Sequence, residues 1–159
     1  MRMLNHRYFS AAGLVTAGAM LLGGCTGKTT DRDIKALTGG DVQKLRAAAL
    51  QSPSKRVVIF IDPRSRDEYA AGRIPGARSL SLPEVPLKAP RNPDISSYGT
   101  ILVYGNNPAS AVAKGMTKRL LANGYEGVRY FPGGLEEWRR LGGEIEADAP
   151  APDSQPPKN

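Results

Sequence analysis

Three largely apolar runs stand out along the chain: "VVIFI" at 57–61, "TILVY" at 100–104 and "GVRYF" at 127–131. The first two are continuous and rich in β-branched residues, which suits strands covered on both faces, as in a parallel sheet. Between the runs the apolar period changes from strand-like to helical. Val42, Leu45 and Ala49 share one face of a helix that Asp41 can cap and that runs to Leu50, before "QSPSK" breaks it. "SRDEYAAG" reads as a short helix capped by Ser65 and stopped by Gly72. Pro108 suits a first helical turn with Asn107 as its cap. Val112, Ala113, Met116 and Leu120 then form an inner stripe that Asn123 and Gly124 close. Residues 135–141 make a last short helix carrying Trp138.

Weaker patterns fill the gaps. A short strand is expected at 79–82 and an edge strand near Ile34. Residues 83–97 hold four of the thirteen prolines and read as a surface loop with at most a short helix. Strands alternating with helices predict an α/β fold: a small parallel sheet of about five strands with helices on both faces. Ligand sites in such sheets lie beyond the carboxyl ends of the strands. Here that edge holds Asp62 to Arg66 and Gly105 to Ser110.

The N-terminus has a different pattern. "MRMLNHRYFSAAGLVTAGAMLLGGC" begins with Arg2 and Arg7, continues through a weakly apolar stretch of 14 residues at 9–22, and ends on small residues and the only cysteine, Cys25. This is the three-part layout of a secretory signal, and the apolar stretch is short for a spanning helix, which needs about 20 residues. "LGGC" resembles the lipobox of bacterial lipoproteins. That resemblance implies cleavage before Cys25 and a diacylglycerol thioether on its sulfur, which anchors the chain in a lipid bilayer. Thr26 stands where an inner-membrane retention signal would have Asp, which leans toward the outer membrane, facing the periplasm. "HRYFS" loosely resembles a twin-arginine signal with His6 in place of the first arginine; we read a general secretory signal. The expected organisation is a signal peptide at 1–24, a lipidated N-terminus and tether at 25–33, one domain at 34–146 and a Pro/Ala-rich tail without periodicity, read as disordered, at 147–159.

Composition alters this picture little. The hydrophobic (40%) and charged (23%) fractions are those of an ordinary globular domain. The formal charge of +7 comes from 22 basic and 15 acidic residues; removing Arg2 and Arg7 leaves 20 against 15, or +5. Such a surface is compatible with an anionic membrane nearby. No long basic run or interleaved aromatics point to nucleic acid. After processing no histidine or free thiol remains, so no metal-ligand spacing and no cofactor site is expected. Glu136 and Glu137 are adjacent on a helix and point in different directions, which argues against a shared acid–base site.

Two blocks carry a family resemblance. "IDPRSRDEYAAGRIPGARSLSL" is similar to the N-terminal signature of rhodanese domains, and "VRYFPGGLEEWRRLGGEIE" resembles their C-terminal signature. The likeness spans about 34–146. It implies a rhodanese-like fold and, in active members, sulfur transfer: a cysteine after the central strand takes sulfane sulfur from thiosulfate as a persulfide. The loop's N–H groups and the following helix N-terminus cradle the anionic sulfur. This chain has Gly105 where that cysteine belongs, followed by Asn106, Asn107, Pro108, Ala109 and Ser110. Pro108 replaces the usual glycine, Ser110 the usual arginine, and Arg73 stands where histidine is common. Ser110 has no histidine to activate it, and a hydroxyl cannot form a persulfide. The resemblance also marks Asp62, Arg64 and Glu68, which we read as a charge-assisted network holding the loop. Arg66, Arg73 and Arg78 are either rim groups that attract anions or ordinary surface arginines.

The expectation is a membrane-anchored, catalytically inactive module that binds an envelope protein or a small anion. The alternatives are a sulfurtransferase using a partner's thiol or non-standard chemistry, and a structural lipoprotein with no ligand.

Overall fold

The computed structural model describes residues 29–149; the expected signal peptide, Cys25 and most of the expected tail lie outside them. Four strands form one parallel sheet in the order β2-β1-β3-β4: β1 Val58–Asp62, β2 Arg78–Ser79, β3 Thr100–Tyr104 and β4 Val128–Phe131. All five β1 residues are buried, as their unbroken apolar pattern requires. The edge strand expected near Ile34 is reduced to a parallel bridge between Ala36 and Tyr130 beside β4, closed by Leu37 N–H to Tyr130 O at 2.8 Å and Tyr130 N–H to Lys35 O at 3.0 Å.

Five helices complete the domain: α1 Gly39–Gln51, α2 Arg66–Ala71, α3 Pro93–Ser96, α4 Ala111–Ala122 and α5 Gly134–Arg140. They cover the sheet from both sides and divide the core in two. One half packs Ile59, Ile61, Ile101 and Val103 under Ala113, Met116 and Leu120 of α4. The other packs Phe60, Leu102, Tyr104 and Phe131 under Val42 of α1 and Leu135 and Trp138 of α5. Truncating one of these fully buried side chains, such as Leu102→Ala, costs about 2–5 kcal/mol in a core of this kind. Both halves are built here from residues within 29–149. Among the described residues no helix is long and apolar enough to cross a membrane.

Several local expectations are corrected. The cap of α1 is Thr38, not Asp41: Asp41 is the third helical residue, and its carboxylate accepts from Thr38 N–H at 3.3 Å in a capping box. Helix α4 begins at Ala111 rather than Pro108. Asn107 Oδ1 accepts from Ala109 N–H at 3.1 Å and Asn107 O from Ser110 N–H at 3.0 Å, closing a separate tight turn first. Val112, expected on the inner stripe, lies on the second residue of the helix and is 37% exposed. Thr117 joins the inner face instead, its hydroxyl donating to Ala113 O at 2.9 Å. Strand β2 is shorter than expected because Ser81 and Glu84 form a capping box on a 3-10 turn at Leu82–Glu84.

Candidate functional site

The turn from β1 into α2 is built on a buried ion pair. Asp62 is fully buried at the end of β1, and Arg64 is nearly so. The guanidinium meets the carboxylate in two parallel bonds, Nε to Oδ1 at 2.9 Å and Nη2 to Oδ2 at 2.6 Å. Asp62 Oδ1 also accepts from Arg64 N–H at 3.1 Å, and Arg64 Nη2 donates to Gly72 O at 2.7 Å. Burial works against the Arg64 charge, but the Asp62 hydrogen bonds more than offset it, leaving its pKa above the ordinary value. Tyr104 lies under this pair, with the guanidinium carbon 5.9 Å from its ring centroid, and its hydroxyl accepts from Ile74 N–H at 3.2 Å. Burial, with Asp62 adding to it, pushes the Tyr104 phenol far above its usual range, so it stays protonated.

The remaining Arg64 nitrogen reaches across to the next strand's loop, Nη1 to Asn106 Oδ1 at 2.7 Å. The amide of Asn106 is held at its other end as well, Nδ2 donating to Glu68 Oε1 at 2.6 Å. Glu68 is itself fixed by Ser65 in a capping box, with Ser65 Oγ to Glu68 Oε2 at 2.8 Å, and these Ser65 bonds hold its carboxyl below the usual range. Asp62, Arg64 and Glu68 are thus brought together on the Gly105–Ser110 loop through one asparagine.

The loop's far side is gripped by α5. Leu135 N–H donates to Gly105 O at 2.8 Å, Glu136 N–H to Asn106 O at 2.9 Å, and Asn107 Nδ2 to Glu136 Oε1 at 2.9 Å. Gly134 has a left-handed φ of +57°, and a Cβ there would overlap Gly105 O and stand 2.7 Å from Asn106 C. Only glycine lets α5 lie this flush on the loop.

Inside the loop the space is taken. A Cβ on Gly105 would fall within contact of both Oγ and Cβ of Ser110 and stand 3.1 Å from Ala113 Cβ. Ser110 folds its side chain over the glycine instead of capping α4. The N–H groups of Ala109 and Ser110 are already used by Asn107. Carboxylates flank the loop: Glu68 on one side, and Glu136 and Glu137 on the other, where they line a groove of about 260 Å³ with Pro108 and Arg140.

The other sequence-marked residues lie elsewhere. Arg66 is exposed on the first turn of α2 and borders a cleft of about 630 Å³ with Ser65, Tyr69, Ser79, Ser81 and Glu84. Arg73 is a buried strut: its guanidinium pairs with Glu146 and with Asp148 at 2.8 Å and lies 4.4 Å from the Tyr69 ring centroid. Asp148 and Glu146 hold its charge above the ordinary arginine value. The backbones of Arg73 and Glu146 exchange two hydrogen bonds, at 2.8 and 3.0 Å, so the arginine ties down the end of the domain. Among the described residues no group of three or more His, Cys, Asp or Glu could hold a metal ion. Sequence reasoning passed over Asn106 as the shared clamp, Gly134 as the contact glycine and Ser110 as the plug. The "PGG" turn was the one visible sign of a close approach.

A family model described as the rhodanese-like domain matches residues 45–141. The thiosulfate sulfurtransferase GlpE of Pseudomonas putida is 34% identical over 92 residues, 57% of this chain and 78% of that protein. Among solved structures, the thiosulfate sulfurtransferase of Pseudomonas aeruginosa superposes with a TM-score of 0.55 at 20% identity, over 78% of this chain and 22% of its own. The rhodanese-like domain of an Anabaena protein does so with a TM-score of 0.52 at 22% identity, over 78% of this chain and 89% of its own. At these identities the two structures bear on the fold alone.

Proposed function

This chain belongs to the rhodanese-like domain family, and we propose that it serves there as a membrane-anchored, catalytically inactive module that binds a partner protein in the bacterial envelope. One observation carries the reading: the residue that follows the central strand is Gly105, and Ser110 fills the space a nucleophilic side chain would need. Sulfane sulfur must be taken up by a thiolate. The sole cysteine is Cys25, outside the domain and within the lipobox-like "LGGC". Once alkylated by diacylglycerol, its sulfur is a thioether and offers no thiol.

A protein partner fits the site better than a small anion does. Two N–H groups of the loop are consumed internally, and Glu68, Glu136 and Glu137 would repel a free anion. The surface around Asn107, Pro108 and Glu136 offers instead a rigid, polar platform.

The purified segment Thr26–Asn159 should show no thiosulfate:cyanide sulfurtransferase activity above a protein-free control; sustained turnover would end the reading. Mass spectrometry of the processed N-terminal peptide tests the anchor separately, and an unmodified Cys25 thiol would remove it. A second reading, sulfur transfer through a partner's thiol, is favoured by the 34% identity to GlpE. It requires sulfane-sulfur label to appear on a partner cysteine only when this chain is present.

A further inference from the structure

The 86–92 segment carries an exposed leucine in a braced, strained turn. Leu87 is 63% exposed, and Lys88 has a left-handed φ of +62°, a conformation uncommon for any side chain but glycine. The turn is held from the end of α4: Asn123 Nδ2 donates to Pro86 O at 2.8 Å and its Oδ1 accepts from Lys88 N–H at 2.9 Å. Arg119 donates to Val85 O at 2.5 Å, and Arg91 to Gly124 O at 3.2 Å. A backbone forced into a costly conformation, and doubly tethered there, to hold a leucine in water has no folding benefit in view.

The surroundings are basic. Lys88 and Arg91 flank Leu87 and are exposed, with the exposed Asp94 three residues beyond Arg91; the outer side of α4 adds Lys114 and Lys118, while Arg119 is half-buried on Val85 O. Asp31, in the N-terminal 3-10 turn, is one acidic group facing α4, and both Lys118 and Lys114 pair with it; Glu84, in the turn at Leu82–Glu84, is another on an element packed against this helix. The Asp31 pairs fix where the chain enters the domain, along the outer side of α4. Three residues separate Cys25 from Thr29, where the described structure begins, so over four residue steps at most about 14 Å of chain lies between acyl-bearing cysteine and domain.

We infer that the outer side of α4, with the Leu87 turn as its apolar tip, is the surface that lies against anionic phospholipid. The orientation rests on the anchored reading above; the surface itself is testable without the anchor. Basic side chains gather over phosphate headgroups, each worth about fivefold in partitioning, while a leucine at the tip enters the acyl boundary.

The experiment uses the unlipidated segment Thr26–Asn159 and vesicles of phosphatidylglycerol mixed with phosphatidylethanolamine, against vesicles of phosphatidylcholine. Partition onto the anionic vesicles should be at least about tenfold stronger and should weaken as salt is raised. The triple variant Leu87→Ser, Lys88→Glu, Arg91→Glu should lose at least about twenty-fivefold, from its two charges alone. A matched variant across the sheet, Leu50→Ser, Lys44→Glu, Lys55→Glu, makes the same change of charge and removes a leucine 61% exposed. It should partition like the wild type. Both variants alter exposed groups, and unchanged circular dichroism verifies that they fold. Equal partition onto both vesicle types, or loss in the α1 variant and not in the Leu87 variant, overturns the inference. Neither result bears on Cys25 acylation, which the mass of the N-terminal peptide reads independently.

Discussion

Two turns leave the same edge of the sheet from neighbouring strands. The one after β1 is dense with chemistry: Asp62 pairs with Arg64, and Ser65 with Glu68, through short hydrogen bonds. The one after β3 contains no ionisable group between Gly105 and Ser110, and its interior is filled by a serine side chain. The sequence marks the first turn as a network that holds the second, and the geometry agrees. Asp62 and Arg64 are buried and pair with each other, while Ser65 to Glu68 stay at the surface and reach the uncharged loop through Asn106. Charge density in a motif is a poor guide to catalysis when its central pair is buried and mutually satisfied.

This contrast can be broken most forcefully at Arg64. Arg64→Ala leaves the Asp62 carboxylate buried without its partner, and a loss of about 3–5 kcal/mol in urea unfolding is expected. A smaller loss would mean that the turn is not structural after all. Next comes Gly134→Ala, which places a side chain at positive φ against the carbonyls of Gly105 and Asn106. We expect a cost of about 2–3 kcal/mol from strain and overpacking together. Gly105→Cys should not create an enzyme: the new Cβ meets Ser110, at a cost of about 1–3 kcal/mol. Adding Ser110→Gly to that variant should restore part of the stability, a coupling that a double-mutant cycle would read as nonzero. Additive losses would show that the serine does not occupy the site. Asn106→Ala should cost about 1–2 kcal/mol by unpairing Arg64 Nη1 and Glu68 Oε1 together, without moving the core.

The smallest effect is in pH. The Glu68 carboxyl is held below its usual value of 4.5, first by Ser65 and then by Asn106. A depressed folded-state pKa stabilises the fold above the unfolded value and loses that contribution as the pH falls through the folded one. The denaturation midpoint should therefore decline slightly below about pH 4.5, and Glu68→Gln should flatten that part of the profile. The group is solvent-facing, so the change is modest.

Legibility along the chain followed the same division. Thr100–Tyr104 and the Ser65-capped helix could be read directly, because an unbroken apolar run and a capping box leave few alternatives. The start of α4 could not: Asn107 has two local partners, and it used its side chain to close a turn rather than to cap. The ion pair of Asp62 with Arg64 was inferable as a network. Its reach to the second loop through Asn106 was not, since an asparagine 42 residues away has no sequence signal for that role. Arg73 could be read only as a rim group or an ordinary surface arginine, and it is neither. Its carboxylate partners lie more than 70 residues downstream, in a stretch whose pattern says nothing about pairing.

With α5 seated flush on the Gly105–Ser110 loop and Ser110 folded over Gly105, position 105 is locked by its neighbours on two sides. Any larger side chain there has to be accommodated by coordinated changes at the serine and at the helix seat, not by one substitution.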